Sequence, residues 1–216
     1  MKVESNSKFI FIGDSITDAG RSESGEETPW NLDKGLGRGY VNLINAKIMS
    51  ETPECRVRII NKGISGNTIL DLQRRWQDDV LKLKPDYLSI KIGINDVWRQ
   101  FDVPHQVEIQ VSMGVYEKTY ISLLEKTRAS LKGLVLISPY LINNNKQDLM
   151  RQQIDAYSDI VSKLAKKFDA VHITPQVAID NYLLHYHASS LAWDSIHPNT
   201  SGHMMIANEF FKQVSF

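Results

Sequence analysis

One cysteine, Cys55, stands in 216 residues, so no disulfide can form within the chain. A lone thiol suits a reducing compartment. Its setting, Pro53-Glu54-Cys55-Arg56, carries neither a base nor a Gly-rich turn that would make it a nucleophile. Charge of one sign is also lacking, since 25 Lys and Arg balance 25 Asp and Glu. A nucleic-acid binder carries a basic excess or a basic stripe, whereas the pairs Arg74-Arg75 and Lys166-Lys167 read as solvated helix faces. No apolar run is long enough to span a bilayer. Phe9–Ile12 is apolar but short, and it runs directly into Gly13-Asp14-Ser15, unlike the core of a secretory leader. A metal site lacks its spacing too, because His185 and His187 stand two apart instead of four, and His203 belongs to the packing of the last helix. These absences point to a soluble cytoplasmic protein with no nucleic-acid, membrane, metal or cofactor partner.

What is present is ordinary in bulk, with 42% apolar and 23% charged residues. That length and composition suit one sizeable α/β core, a single domain over 1–216. The short apolar run Phe9–Ile12 reads as a fully buried strand, and Val57–Ile60, Tyr87–Ile92, Leu134–Ile137 and Val171–Ile173 read as four further strands. Asn61-Lys62-Gly63, Gly93 and Pro139 are read as their stops. Helical spacing joins Tyr40, Leu43, Ile44 and Ile48, and Thr68 can cap a helix whose apolar face is Ile69, Leu72, Trp76, Val80 and Leu83. Further helices run through Tyr116–Leu124, Ile154–Phe168 and Ile206–Val214, and residues 19–39 read as a polar loop holding Pro29 and Trp30. Strands alternating with helices predict a parallel sheet covered on both faces. Ligands of such sheets bind beyond the carboxyl ends of the strands.

Three groups of residues at those ends carry chemistry. Ser15 follows the first strand at a turn that Gly13 permits. A serine hydroxyl needs a base to become a nucleophile. Asp194-Ser195-Ile196-His197-Pro198 supplies one, with a carboxylate three residues before an imidazole, close enough to hold its Nδ1–H. Attack on an ester also needs donors for the developing oxyanion. The backbone N–H of Ser15, the N–H of Gly63 and the side-chain amide of Asn95 are the candidates. The motif is not the Gly-x-Ser-x-Gly elbow of α/β-hydrolases.

Together the blocks Gly13-Asp14-Ser15-Ile16-Thr17-Asp18, Asn61-Lys62-Gly63-Ile64-Ser65-Gly66-Asn67-Thr68, Gly93-Ile94-Asn95-Asp96 and Asp194–Pro198 resemble those of the SGNH, or GDSL, hydrolase superfamily. The resemblance implies a three-layer α/β/α fold with a five-stranded sheet of flavodoxin-like order. It implies a serine hydrolase with a Ser15–His197–Asp194 triad and an oxyanion hole of Ser15, Gly63 and Asn95. The stretches from Ile92 to Gln100, from Asn61 to Thr68 and from Leu191 to Pro198 look like intracellular acetylxylan esterases of that superfamily, which deacetylate xylo-oligosaccharides. Trp98, Arg99, Trp193 and Tyr140, with Trp30 and Asn143, are then candidate substrate contacts, the tryptophans by stacking on sugar rings. Exposed aromatic loops and the family's habit imply a homo-oligomer. The rival readings are a lysophospholipase or acyl-thioesterase with the same triad, and a non-catalytic carbohydrate binder.

Overall fold

The structure, a computed structural model, describes Met1–Ser22 and Trp30–Phe216. Five strands form one sheet: β1 (Lys8–Gly13), β2 (Arg58–Gly63), β3 (Tyr87–Lys91), β4 (Gly133–Ile137) and β5 (Val171–Ile173). Their order is β2-β1-β3-β4-β5 and every pairing is parallel. The sheet is buried throughout its centre, and all five residues of β3 and of β4 are inaccessible. Continuous apolar runs, not alternating ones, are what a sheet covered on both faces requires.

The helices are α1 (Ser15–Asp18), α2 (Leu32–Leu36), α3 (Tyr40–Glu51), α4 (Ile69–Trp76), α5 (Ile94–Asp102), α6 (Met113–Thr127), α7 (Leu149–Lys167), α8 (Pro175–Tyr182) and α9 (Thr200–Gln213). They cover both faces of the sheet, giving the three layers expected. Helices α3 and α9 pack together on one side, and α4 with α6 and α5 with α7 on the other. The cap expected at Thr68 forms a capping box with Asp71, whose Oδ2 accepts the Thr68 N–H at 2.9 Å. The apolar face reaches past α4 through a π-turn, Gln77–Leu81, which keeps Val80 buried.

Four expectations change. The stop read at Asn61-Lys62-Gly63 is the last half of β2, because the buried Asn61 amide finds partners in Thr17 O and Leu36 O, both at 2.7 Å. The polar loop over 19–39 contains α2, and Pro29 lies outside the described residues. Helix α8, opened by Pro175 at its first position, stands where no helix was read. Trp98, read as one of the aromatic loop residues, lies on α5 with Arg99.

Order β2-β1-β3 means the chain leaves β1 for one neighbour and returns to the other. The crevice beyond the carboxyl ends of β1 and β3 is therefore the switch point where ligands of such sheets sit. Ser15 and Asn95 follow those two strands.

Candidate active site

At the end of β1 the chain turns into α1 within two residues. Asp14 is the cap, with extended backbone and Oδ1 accepting the Ile16 N–H at 3.0 Å. Gly13 makes the turn possible, since a Cβ there would lie 2.2 Å from the Lys91 carbonyl oxygen and 2.4 Å from Thr17 Oγ1. The Gly13 carbonyl accepts two long-range donors, Ile64 N–H at 3.1 Å and Arg75 Nη2 at 3.0 Å. Arg75 also reaches Lys62 O and Asn67 Oδ1, both at 2.7 Å, so one guanidinium ties together the ends of β1 and β2.

The histidine comes from the loop before α9. Ser195 adopts a left-handed backbone, φ +64°, which folds Asp194 back on its own chain. Asp194 Oδ1 accepts the N–H groups of Ile196 at 3.0 Å and His197 at 2.9 Å, while Oδ2 meets His197 Nδ1 at 2.5 Å. Burial pushes the Asp194 pKa up, but the bond from His197 and the two backbone donors outweigh it and hold the carboxyl below its ordinary value. Ionised, it keeps the imidazole proton on Nδ1, so Nε2 presents a lone pair. Ser15 Oγ lies 2.7 Å from that nitrogen, 182 residues away in sequence. The structure thus brings Ser15, His197 and Asp194 together in one hydrogen-bonded line. A serine aligned with a neutral, oriented imidazole can attack a carbonyl.

The oxyanion candidates divide. Asn95 is nearly inaccessible and donates one amide hydrogen to Asn67 O at 3.0 Å, leaving the second. Gly63 does not meet its expectation. Its N–H already donates to Asn61 Oδ1 at 2.8 Å, and its missing side chain makes room for α1, since a Cβ would lie 2.1 Å from Asp18 N. The next turn offers a substitute. There the N–H groups of Ile64, Ser65 and Asn67 are taken by Gly13 O, Asp18 Oδ2 and Ile64 O. Among the described residues, the N–H groups of Gly66 and Ser15 have no hydrogen-bond partner. Gly66 is exposed, has φ +81°, and no atom lies within 4 Å of where its Cβ would be. From the sequence Gly63 passes for the open glycine of the block, because nothing local shows that the alternation of β2 continues through Asn61 and Gly63.

Ser15 and His197 line a cleft of about 580 Å³ with Ser65, Arg38, Asn199 and Trp193. Trp193 is 89% exposed beside it. Trp98 stands edge-on to the His197 ring, 6.0 Å between centroids, and the Arg99 guanidinium lies 4.7 Å from the Trp98 ring while pairing with Asp102. Tyr140 is a correction. It is fully buried, its ring 4.9 Å from Lys91 Nζ, and cannot touch a substrate without rearrangement. Asn143 holds Asn145 and Arg151, and neither Asn143 nor Trp30 is among the residues lining the cleft.

Asp96, beside Asn95, escaped notice in the sequence as more than part of a motif. It is fully buried and accepts the Ile69 N–H with both oxygens, at 3.0 and 3.3 Å, pinning the start of α4 to α5. Burial pushes its pKa up to about 7. His203 is pulled down to about 4, by burial first and then by Lys91 and His197, and its Nδ1 accepts the Tyr40 N–H at 3.2 Å.

Comparison with known proteins agrees with this geometry. Residues 11–205 match the model of the GDSL-like Lipase/Acylhydrolase family. An acetylxylan esterase of Geobacillus stearothermophilus is 42% identical over 216 residues, covering 100% of this chain and 97% of that protein. Among solved structures, LAE5, an alpha/beta hydrolase enzyme from the metagenome of Lake Arreo, Spain, is 47% identical with a TM-score of 0.93, over 97% of this chain and 95% of that one. Axe2, an acetylxylan esterase from Geobacillus stearothermophilus, is 42% identical with a TM-score of 0.93, over 98% and 95%. Axe2 has also been solved as catalytic mutants in which a serine, an aspartate or a histidine is replaced by alanine.

Proposed function

The chain belongs to the GDSL-like Lipase/Acylhydrolase family, and from that premise we propose that it is a serine esterase removing acetyl groups from acetylated xylo-oligosaccharides or related carbohydrates. The observation that carries this reading is the line Ser15 Oγ–His197 Nε2–His197 Nδ1–Asp194 Oδ2, with contacts of 2.7 and 2.5 Å, opening on a cleft. Likeness to an acetylxylan esterase over the whole chain supports the substrate class.

Ser15 attacks the acetyl carbonyl while His197 takes its proton. Asp194 stabilises the imidazolium that forms. The oxyanion is met by the N–H groups of Ser15 and Gly66 and the free amide hydrogen of Asn95, each of the kind worth roughly 3–4 kcal/mol when removed. His197 then gives the proton to the departing sugar oxygen. Water, activated by the same imidazole, attacks the acetyl-serine, and acetate leaves. The walls of the cleft, Ser65, Arg38 and Asn199 with the indole of Trp193, suit a sugar better than a long acyl chain, which would need a continuous apolar groove. The whole chain acts as one catalytic domain, in the cytoplasm and as a homo-oligomer. The single thiol and the outward-facing Trp193, Leu184 and Tyr186 support the last two points. Among the described residues no helix is long and apolar enough to cross a membrane.

Acetate release from acetylated xylo-oligosaccharides tests the proposal. Ser15→Ala should lower kcat by roughly 10⁴-fold or more with the fold intact. Retention of wild-type turnover by that variant, or faster cleavage of octanoyl than of acetyl esters by the unaltered protein, would refute it.

A further inference from the structure

Directly beneath the nucleophile lies a charge that the chemistry above does not use. Lys91 is the last residue of β3, in register with Gly13 of β1, and its side chain is fully inaccessible. Lysine and aspartate are almost never fully buried unless paired. Here both are, with Lys91 Nζ 3.7 Å from Asp14 Oδ1. The pair is loose. Among the described residues, Lys91 Nζ, Asp14 Oδ2 and Tyr140 Oη each lack a hydrogen-bond partner. The Tyr140 ring, 4.9 Å from Nζ, gives the ammonium a π face instead. An apolar side chain in a strand of Tyr, Leu, Ser and Ile would be the inexpensive choice for stability, because a buried ion pair seldom repays its desolvation.

What Lys91 opposes is the carboxylate that builds the Ser15 turn. Asp14 Oδ1 caps α1 through Ile16, and Ser15 is its next residue. We propose that Lys91 is a positioning residue for the hydrolysis: its buried ammonium counters the Asp14 carboxylate beneath Ser15 and so sets the charge that the Ser15–His197 pair works against. This rests on the triad reading above. Burial drives the Asp14 pKa up and the Lys91 pKa down, and in each case the partner's charge opposes that drift.

The other groups facing this cluster are few. The loop before α9 brings Asp194 and His197, which interact electrostatically with Tyr140 and Asp14 respectively. Helix α9 brings His203, uncharged above about pH 4. Helix α3 brings Tyr40, whose hydroxyl is bonded to Thr17 Oγ1 of α1 at 3.0 Å, α5 brings Asp96, and α6 brings the buried Tyr116. Of the two charges, Asp14 is the one that interacts with His197. Each charge depends on the other, because a fully buried carboxylate or ammonium left without its partner neutralises.

The test is the pH profile of kcat/KM for p-nitrophenyl acetate in full-length Lys91→Met, Asp14→Asn and the double variant. Asparagine keeps an oxygen for the Ile16 N–H, and methionine matches the shape of the lysine stem. With Asp14 neutral for want of its partner, Lys91→Met should move the acid limb down by roughly half to one pH unit. Asp14→Asn should move it down by a similar amount, and the double variant should move no further than either single one. KM should change less than twofold throughout, since neither side chain lines the cleft. A purely structural role would lower kcat in both single variants without moving their limbs. An upward shift in either variant, or no shift, overturns the proposal. If Asp14→Asn does not fold, the downward shift in Lys91→Met decides alone. A wild-type protein that does not turn over the ester overturns the triad reading and this inference with it, whereas normal turnover with unmoved limbs removes only the latter.

Discussion

The serine side of the cleft and the histidine side are held by different kinds of bond. Around Ser15 the contacts are long-range: Arg75 to Gly13 O, Asn61 to Thr17 O, Ser65 N–H and Oγ to Asp18. They join β1, β2 and the turn after it, and two glycines let backbones approach where no Cβ would fit. Around His197 the contacts that aim the ring are short-range, and one long-range bond anchors the loop. Asp194 binds Ile196, His197 and the imidazole within three residues of itself, and Ser195 O accepting the Ile142 N–H at 2.8 Å anchors the loop to the chain after β4. A nucleophile must sit still in a tight turn, which takes support from several strands. An imidazole must be aimed, which one carboxylate can do.

The largest way to separate the two sides is Asp194→Asn. An amide in place of the carboxylate no longer fixes the tautomer, and kcat should fall about 10⁴-fold while thermal stability changes little; steady-state kinetics beside a melting curve checks both. Asn61→Ala attacks the other side and should do the reverse. It strands Thr17 O, Leu36 O and the Gly63 N–H in a buried place, for a loss of about 3 kcal/mol. In a chain of this size that is a Tm drop of roughly 6–12 °C. If Asn61→Ala proves as stable as wild type, the claim that the serine side is built by long-range support fails.

Asp96→Asn sharpens the same point through pH. The folded carboxyl titrates near 7 and the unfolded one near its ordinary value of 3.8, so between those pH values the folded chain keeps a proton that the unfolded chain releases. Stability from this group is therefore full below about pH 4 and declines as pH rises to 7. Denaturant melts at pH 5 and 7 should show a smaller decline in the variant, whose amide oxygen can still accept the Ile69 N–H. The smallest effect belongs to Trp193→Ala on the exposed rim. It should raise KM for the oligosaccharide about 3–10-fold, as loss of one aromatic contact does, with kcat and Tm unmoved.

This contrast also explains what could be read from the chain without coordinates. Asp194 and His197 were legible because their geometry is local, fixed by spacing and one left-handed residue. Strands β1, β3, β4 and β5 were legible within a residue at either end, β1 and β4 because burial on both faces leaves an unbroken apolar run, β3 and β5 because apolar residues still dominate around Ser89, Lys91 and His172. The serine side was legible only in part. Asn61 looked like a strand stop because its two acceptors lie 44 and 25 residues away, and Gly63 looked like the open glycine because its role under α1 depends on Asp18. Tyr140 looked like a rim residue because it follows β4, yet its ring is fully buried, 4.9 Å from Lys91 Nζ. Helix α8 did carry a local signal, proline at its first position, without the apolar periodicity that usually announces a helix.

The central claim is that residue 15 becomes acylated because residue 197 takes its proton. Peptide mass spectrometry after treatment with a fluorophosphonate probe measures this directly. One adduct per chain, on Ser15, abolished in His197→Ala, is the expected result. A folded protein that stays unlabelled, or carries the adduct on another side chain, would contradict the account.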